Sequence, residues 1–186
     1  MKTLGIDIGI YNMAFALYDR DTKAVSTCLE QLAPQIKKCL QRGCKKKGTY
    51  DGYCLVHFDK TLTRPRALKC FKTWTAGECF EKTRAMLERV APMVSDADKI
   101  LIEKQPRQGG KTNLVAHILF TLLSLECPNV HFILASRKYR HLDGDWSTYD
   151  QRKKSSIAYI EDTFPSELDA YVKKDDVADA ILLSLI

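Results

Sequence analysis

The sequence has no uninterrupted apolar stretch long enough to cross a bilayer. Nor does it open on an apolar signal region or an arginine-rich amphipathic presequence, because Met1 leads straight into the strand-like run Thr3-Leu4-Gly5-Ile6-Asp7-Ile8. A soluble, intracellular protein with no membrane partner is therefore expected. Internal repeats are missing, and so is low complexity beyond Lys45-Lys46-Lys47. Seven cysteines are an odd number in a chain without a secretion signal, which argues against a disulfide framework and leaves free thiols or metal ligands.

What is present is 186 residues, 45% of them hydrophobic, enough for one respectable core and too few for two full-sized domains. One domain over residues 1–186 is expected, with a small module inserted at residues 37–60. The formal net charge of +6 fits a polyanionic partner, since clustered Lys and Arg gain affinity by releasing counterions from nucleic acid. Charge alone is a weak argument, because many basic proteins bind no such partner.

Leu4 to Ile8, Met13 to Tyr18 and Ala24 to Leu32 read as three strands of an antiparallel meander. From 33 to 72 apolar periodicity disappears, while basic residues and cysteines accumulate. Thr75 followed by Glu78 matches a capping box and starts a helix whose apolar face carries Ala76, Cys79, Phe80, Thr83, Leu87, Val90 and Val94. Lys99 to Glu103 is a compact strand, and a Gly/Lys-rich loop leads to a second helix around Asn113 to Leu125. Val130 to Ala135 reads as a buried strand. A polar stretch from Arg137 to Tyr149 precedes a third helix around Ser155 to Thr163, and Asp176 to Ile186 reads as a closing apolar helix with carboxylates in its first turn.

Two acids stand where strands are otherwise apolar. Asp7 interrupts the first strand and Glu103 ends the fourth, and an ionised carboxylate there is costly unless a cation or hydrogen bonds compensate. Asp176 and Asp179, three residues apart, share one face of the last helix. Hard oxygen ligands of this kind suit Mg²⁺, and two such ions could activate a water and stabilise a leaving 3′-oxygen in phosphodiester hydrolysis. Each acid also has a bland reading as turn residue, strand-end charge, helix cap or solvated side chain. It is the set of four, in an order compatible with one sheet and one packed helix, that points to a metal centre.

Four segments carry a family resemblance: Gly5-Ile6-Asp7-Ile8-Gly9-Ile10-Tyr11-Asn12, Ile102-Glu103-Lys104-Gln105-Pro106-Arg107, Tyr149-Asp150-Gln151-Arg152-Lys153-Lys154-Ser155 and Lys174-Asp175-Asp176-Val177-Ala178-Asp179. Together they resemble the Holliday junction resolvases of poxviruses and related large DNA viruses, a family similar to bacterial RuvC and to fungal mitochondrial resolvases. The resemblance implies an α/β fold of ribonuclease H type: a mixed sheet, its first three strands antiparallel and the later ones parallel, with helices on both faces. It further implies a homodimer that nicks four-way DNA junctions symmetrically, with Asp7, Glu103, Asp176 and Asp179 binding Mg²⁺, or Mn²⁺ in its place, as two ions per site. A viral source would place that work in the host cytoplasm. Asp175 competes with Asp176 for the ligand role or simply caps the helix. Tyr11 stands where a basic residue often follows the Asp-x-Gly turn, and Lys104 replaces a common arginine; both departures concern substrate contact.

Arg152, Lys153 and Lys154 are placed by the resemblance near the scissile phosphate, and Lys104, Arg107 and Lys111 surround the loop after Glu103. Phosphate contact and a solvated surface remain open for each. Cys39, Cys44, Cys54 and His57 gather three thiols and one imidazole within nineteen residues, with Gly43, Gly48 and Gly52 supplying turns. That is a pattern for tetrahedral Zn²⁺ in a segment without its own core, surrounded by Lys37, Lys38, Arg42, Lys45, Lys46 and Lys47. Cys28, Cys70, Cys79 and Cys127 read as ordinary buried or half-buried thiols. Three rivals stand beside this reading: a less selective nuclease of branched DNA or RNA–DNA hybrids, an actin-like ATPase that this length disfavours, and a non-catalytic zinc-containing DNA-binding protein.

Overall fold

The computed structural model describes residues 1–50, 52–58, 70–106, 109–142 and 148–186. Its elements in chain order are β1 (Lys2–Asp7), β2 (Met13–Asp19), β3 (Val25–Glu30), α1 (Ala76–Arg89), α2 (Ala91–Ser95), β4 (Lys99–Glu103), α3 (Lys111–Glu126), β5 (Val130–Ile133), α4 (Ala135–Lys138), α5 (Tyr149–Thr163) and α6 (Lys174–Ser184). The strands form one sheet in the order β3-β2-β1-β4-β5. β1 pairs antiparallel with β2, and β2 with β3. β4 runs parallel to β1, and β5 parallel to β4. This is the expected mixed sheet with helices on both faces.

Alternation along the strands decides which side chains meet which helices. Leu4, Ile6, Met13, Phe15, Ile100 and Ile102 face one core, filled from the helices by Cys79, Met86, Val115, Leu119 and Leu123. On the other face the sheet presents small residues, Ala14 and Ala16, to Ile160, Val177, Ala178, Ile181 and Leu182. Gly5 lies on this second face, and a Cβ there would sit 2.3 Å from the Ala180 carbonyl oxygen and 2.7 Å from the Ser184 nitrogen. α6 therefore rests directly on the backbone of β1, closer than any side chain would allow.

Several boundaries differ from the sequence reading. α5 begins at Tyr149 because Thr148 accepts a hydrogen bond from the Gln151 nitrogen and Gln151 closes a capping box. Arg152 to Lys154 consequently lie inside this helix, ahead of the start expected around Ser155. Phe80 is 39% exposed while Met86 is fully buried, so the apolar face of α1 is rotated from the expected one. β5 stops at Ile133, and Ala135 already belongs to α4, within what reads as strand and polar loop. Among the described residues no helix is long and apolar enough to cross a membrane.

Candidate active site

Asp7 closes β1 and Glu103 closes β4. The parallel register sets Ile6 beside Ile102, which brings the two following acids to the same end of the sheet. Asp179 enters from α6, whose seat on Gly5 fixes its height above β1. One carboxylate oxygen from each of Asp7, Glu103 and Asp179 lies within 4.8 Å of the other two. The three side chains are only 15–16% exposed.

A fourth group joins them that the sequence reading does not single out. Lys138, at the end of α4, is 1% exposed, and its Nζ lies 2.5 Å from Glu103 Oε2, 2.7 Å from Asp179 Oδ2 and 4.0 Å from Asp7 Oδ1. Burial alone would push the ammonium down, but Asp179, Glu103 and Asp7 outweigh it and raise Lys138 well above the usual lysine range. Burial raises Asp7 well above the usual carboxylate range, with Lys138 opposing and Glu103 reinforcing. Burial likewise raises Asp179 against the pull of Lys138. The only sequence signal for Lys138 is positional: it follows β5, whose end lies beside that of β4.

Ionising all three carboxylates against one ammonium would leave an excess of two negative charges, and the raised Asp7 and Asp179 express that cost. A divalent cation offers the matching charge and prefers this donor type. Ser156 is buried on α5, and its hydroxyl favours the ionised form of Asp179. The three converging carboxylates thus fit a divalent metal centre.

Asp176 lies one turn before Asp179, half-buried, and is not one of the three acids that meet. Burial, then the neighbouring Asp175, raises its carboxyl. Asp175 turns to α5 instead and accepts from Lys153 Nζ. Burial works against its ionised form, yet Lys153 holds it below the usual range.

The basic candidates divide by what already engages them. Lys153 is taken by Asp175 and lies 4.7 Å from the Tyr149 ring centroid. Arg152 is half-buried with its guanidinium 5.9 Å from the Tyr139 ring centroid. Lys111 Nζ donates to the carbonyls of Lys72 and Trp74, each at 2.5 Å. Lys104 and Lys154 are exposed. Arg107 lies outside the described residues.

Away from the carboxylates, Cys39, Cys44, Cys54 and His57 offer four donor atoms mutually within 4.8 Å. His57 Nδ1 is 3.5 Å from both Cys39 Sγ and Cys54 Sγ, and Cys44 Sγ is 3.9 Å from Cys54 Sγ. Ligands of a tetrahedral Zn²⁺ are spaced by about 3.5 to 3.8 Å, so the set fits that ion. The Cys54 nitrogen donates to Cys39 Sγ at 3.3 Å, which fixes the position of that sulfur. Gly43 and Gly52 take φ of 77° and 87°, which lets the chain turn around the cluster. Asp51 and the end of the expected module, residues 59 and 60, lie outside the described residues.

Comparison with known proteins adds a family and a fold. A family model described as Poxvirus A22 protein matches residues 66–186, a span that includes Glu103, Lys138, Asp176 and Asp179 and leaves Asp7 and the cysteine cluster outside. Among solved structures, the crystal structure of fowlpox virus resolvase with its substrate Holliday junction DNA is similar, with a TM-score of 0.51 and 19% identity over 100% of this chain and 95% of that chain. RuvC of Thermus thermophilus has a TM-score of 0.48 and 13% identity over 100% of this chain and 92% of that one. The first likeness shows the ribonuclease H-type fold of the resolvases. No curated protein matches the sequence.

Proposed function

Because the chain belongs to the Poxvirus A22 protein family, we propose that it is a metal-dependent, structure-selective endonuclease that resolves four-way DNA junctions by symmetric phosphodiester cleavage. The observation that carries this reading is the convergence of Asp7, Glu103 and Asp179 around Lys138 at one end of the sheet. The fold is shared with a fowlpox virus resolvase whose structure contains junction DNA.

In this reading Asp7, Glu103 and Asp179 hold the cation, with Asp176 contributing from the rim. Magnesium, or manganese in its place and in two copies, would supply an activated water and charge for the leaving oxygen. The chain's own contribution is to place the acids. Gly5 sets the depth of Asp179, and Lys138 offsets part of their mutual repulsion before DNA arrives. Lys138 also directs Glu103 and Asp179 through its two short contacts, and its positive charge suits a phosphate oxygen at the same place. Asp175, held by Lys153, is kept from competing as a ligand. Lys104 and Lys154 are exposed and suited to backbone phosphates, to which Arg107, Lys111, Arg152 and Lys153 would add if substrate draws them from their present partners. A homodimer would supply the second nick, and the cytoplasm of an infected host would be the setting. Cys39, Cys44, Cys54 and His57 hold a structural zinc.

Four-way, three-way and linear DNA, offered with and without Mg²⁺, test the proposal. Paired symmetric nicks in the four-way substrate that require Mg²⁺ are expected, while a preference for linear duplex would reject junction resolution.

A further inference from the structure

The cysteine module carries a surface whose charge the acids and the fold leave unexplained. Residues 31–50 contain six Lys or Arg and no Asp or Glu. Lys37, Lys38, Arg42, Lys45, Lys46 and Lys47 are all exposed. None of the six forms an ion pair with another described residue.

The backbone of the module concentrates this charge. The Cys39 nitrogen donates to the Lys46 carbonyl at 2.8 Å and the Gly48 nitrogen to the Lys37 carbonyl at 3.0 Å, forming a small hairpin around the ligands. Lys38 and Lys47 pair directly across it. Like charges in that position repel and weaken a hairpin. Among the described residues no acid pairs with them, an arrangement that suits a polyanion.

The chain enters this module from the catalytic end of the sheet. β3 ends at Glu30, opposite Met13, at the same edge where β1 ends in Asp7. Leu32 and Ala33 then anchor in the core, and the Ala33 nitrogen donates to the Ile10 carbonyl at 3.0 Å, three residues beyond Asp7. The module thus departs from the rim of the carboxylate site.

We infer that the lysine-bearing hairpin of the cysteine module is a binding surface for the sugar-phosphate backbone of a DNA arm, read without regard to sequence. The inference rests on the nuclease reading for its choice of polyanion. An acidic protein surface is the alternative partner, and it makes a different prediction.

The test uses the full, metal-loaded chain carrying Asp179→Asn, so that DNA survives the titration. Lys37, Lys38, Lys46 and Lys47 are changed together to Gln, and in a second protein to Arg. Affinity for a four-way junction and for linear duplex is followed by fluorescence anisotropy over a salt series. Each neutralised phosphate adds about 0.9 to the slope of log affinity against log salt. The Gln protein should lose about 2 to 3 units of slope and at least about tenfold in affinity at low salt on both DNAs. The Arg protein should keep both.

Unchanged slope and affinity in the Gln protein would overturn the inference and leave the protein partner. Equal loss in the Arg protein would overturn it as well, since charge would then not be the cause. If the unmutated chain cuts no junction while the Gln set still lowers the slope, the nuclease reading falls and this surface stands.

Discussion

Asp7, Glu103 and Asp179 lie on β1, β4 and α6 and are drawn together from most of the chain's length, whereas Cys39, Cys44, Cys54 and His57 come from nineteen consecutive residues. The acids are positioned by two hydrophobic cores that would form without them. The thiols sit in a segment with almost no core of its own, where the proposed zinc would be the main source of cohesion. A site built by the core should survive the absence of an ion, and a site built by an ion should not.

Zinc removal should expose that difference most sharply, because structural zinc contributes on the order of 10 kcal/mol to the folding of small modules. Chelation, or Cys54→Ser, should unfold the hairpin around residues 37–58 and leave the sheet intact. Hydrogen exchange resolves the two regions: fast exchange at the Cys39 and Gly48 amides with protected β1 and β4 is the expected pattern. Simultaneous loss of protection in β1 would break the comparison.

Next in size is the loss of a carboxylate at the other site. Asp179→Asn should lower junction cleavage by about 10⁴-fold or more, the scale seen when a group acting as part of a catalytic unit is removed. The fold and junction binding should persist. Single-turnover cleavage and anisotropy measure the two separately, and a variant that still cuts at a tenth of the normal rate would remove Asp179 from the metal centre.

Lys138 sharpens the comparison further, since it belongs to the core-built site yet stabilises it by charge. Leaving a buried charge without its partner costs about 3 to 5 kcal/mol, so Lys138→Met should destabilise the metal-free protein by that order. Saturating Mg²⁺ should recover much of the loss, because the cation supplies what the ammonium did. Urea unfolding with and without Mg²⁺ gives the answer, and an identical loss in both conditions would show that packing of the long side chain, not charge, is what matters.

The sequence makes the succession of strands and helices and the isolated acids legible because both follow from local pattern: alternating strands, and a charge where only apolar residues belong; the mixed pairing of the sheet comes from the family resemblance, and its strand order from the structure. The cysteine spacing is legible for the same reason. Lys138 is hidden because a lysine in a polar stretch gives no sign of burial, and only the packing of α4 against the end of the sheet puts it inside. The choice between Asp175 and Asp176 is hidden too, since it depends on which of them Lys153 reaches from α5. Thr148 and Gln151 do form a readable capping box, so the start of α5 was available from the same rule that places α1.

Gly5 is the residue at which the hydrophobic architecture and the metal site become one problem. An added Cβ would meet the backbone of α6, at the Ala180 carbonyl and the Ser184 nitrogen, and backbone cannot step aside as a flexible side chain can. Gly5→Ala should therefore cost about 1 to 3 kcal/mol, the usual range for overpacking, measured by urea unfolding. Its second consequence is geometric. Lifting α6 carries Asp179, adjacent to Ala180, away from Asp7 and Glu103, so cleavage should fall and more Mg²⁺ should be needed to restore it. The cysteine module, which the chain enters past the Ala33–Ile10 hydrogen bond, should keep its capacity to bind zinc. A variant with normal Mg²⁺ dependence despite the lost stability would mean that the seat of α6 sets the fold but not the spacing of the acids.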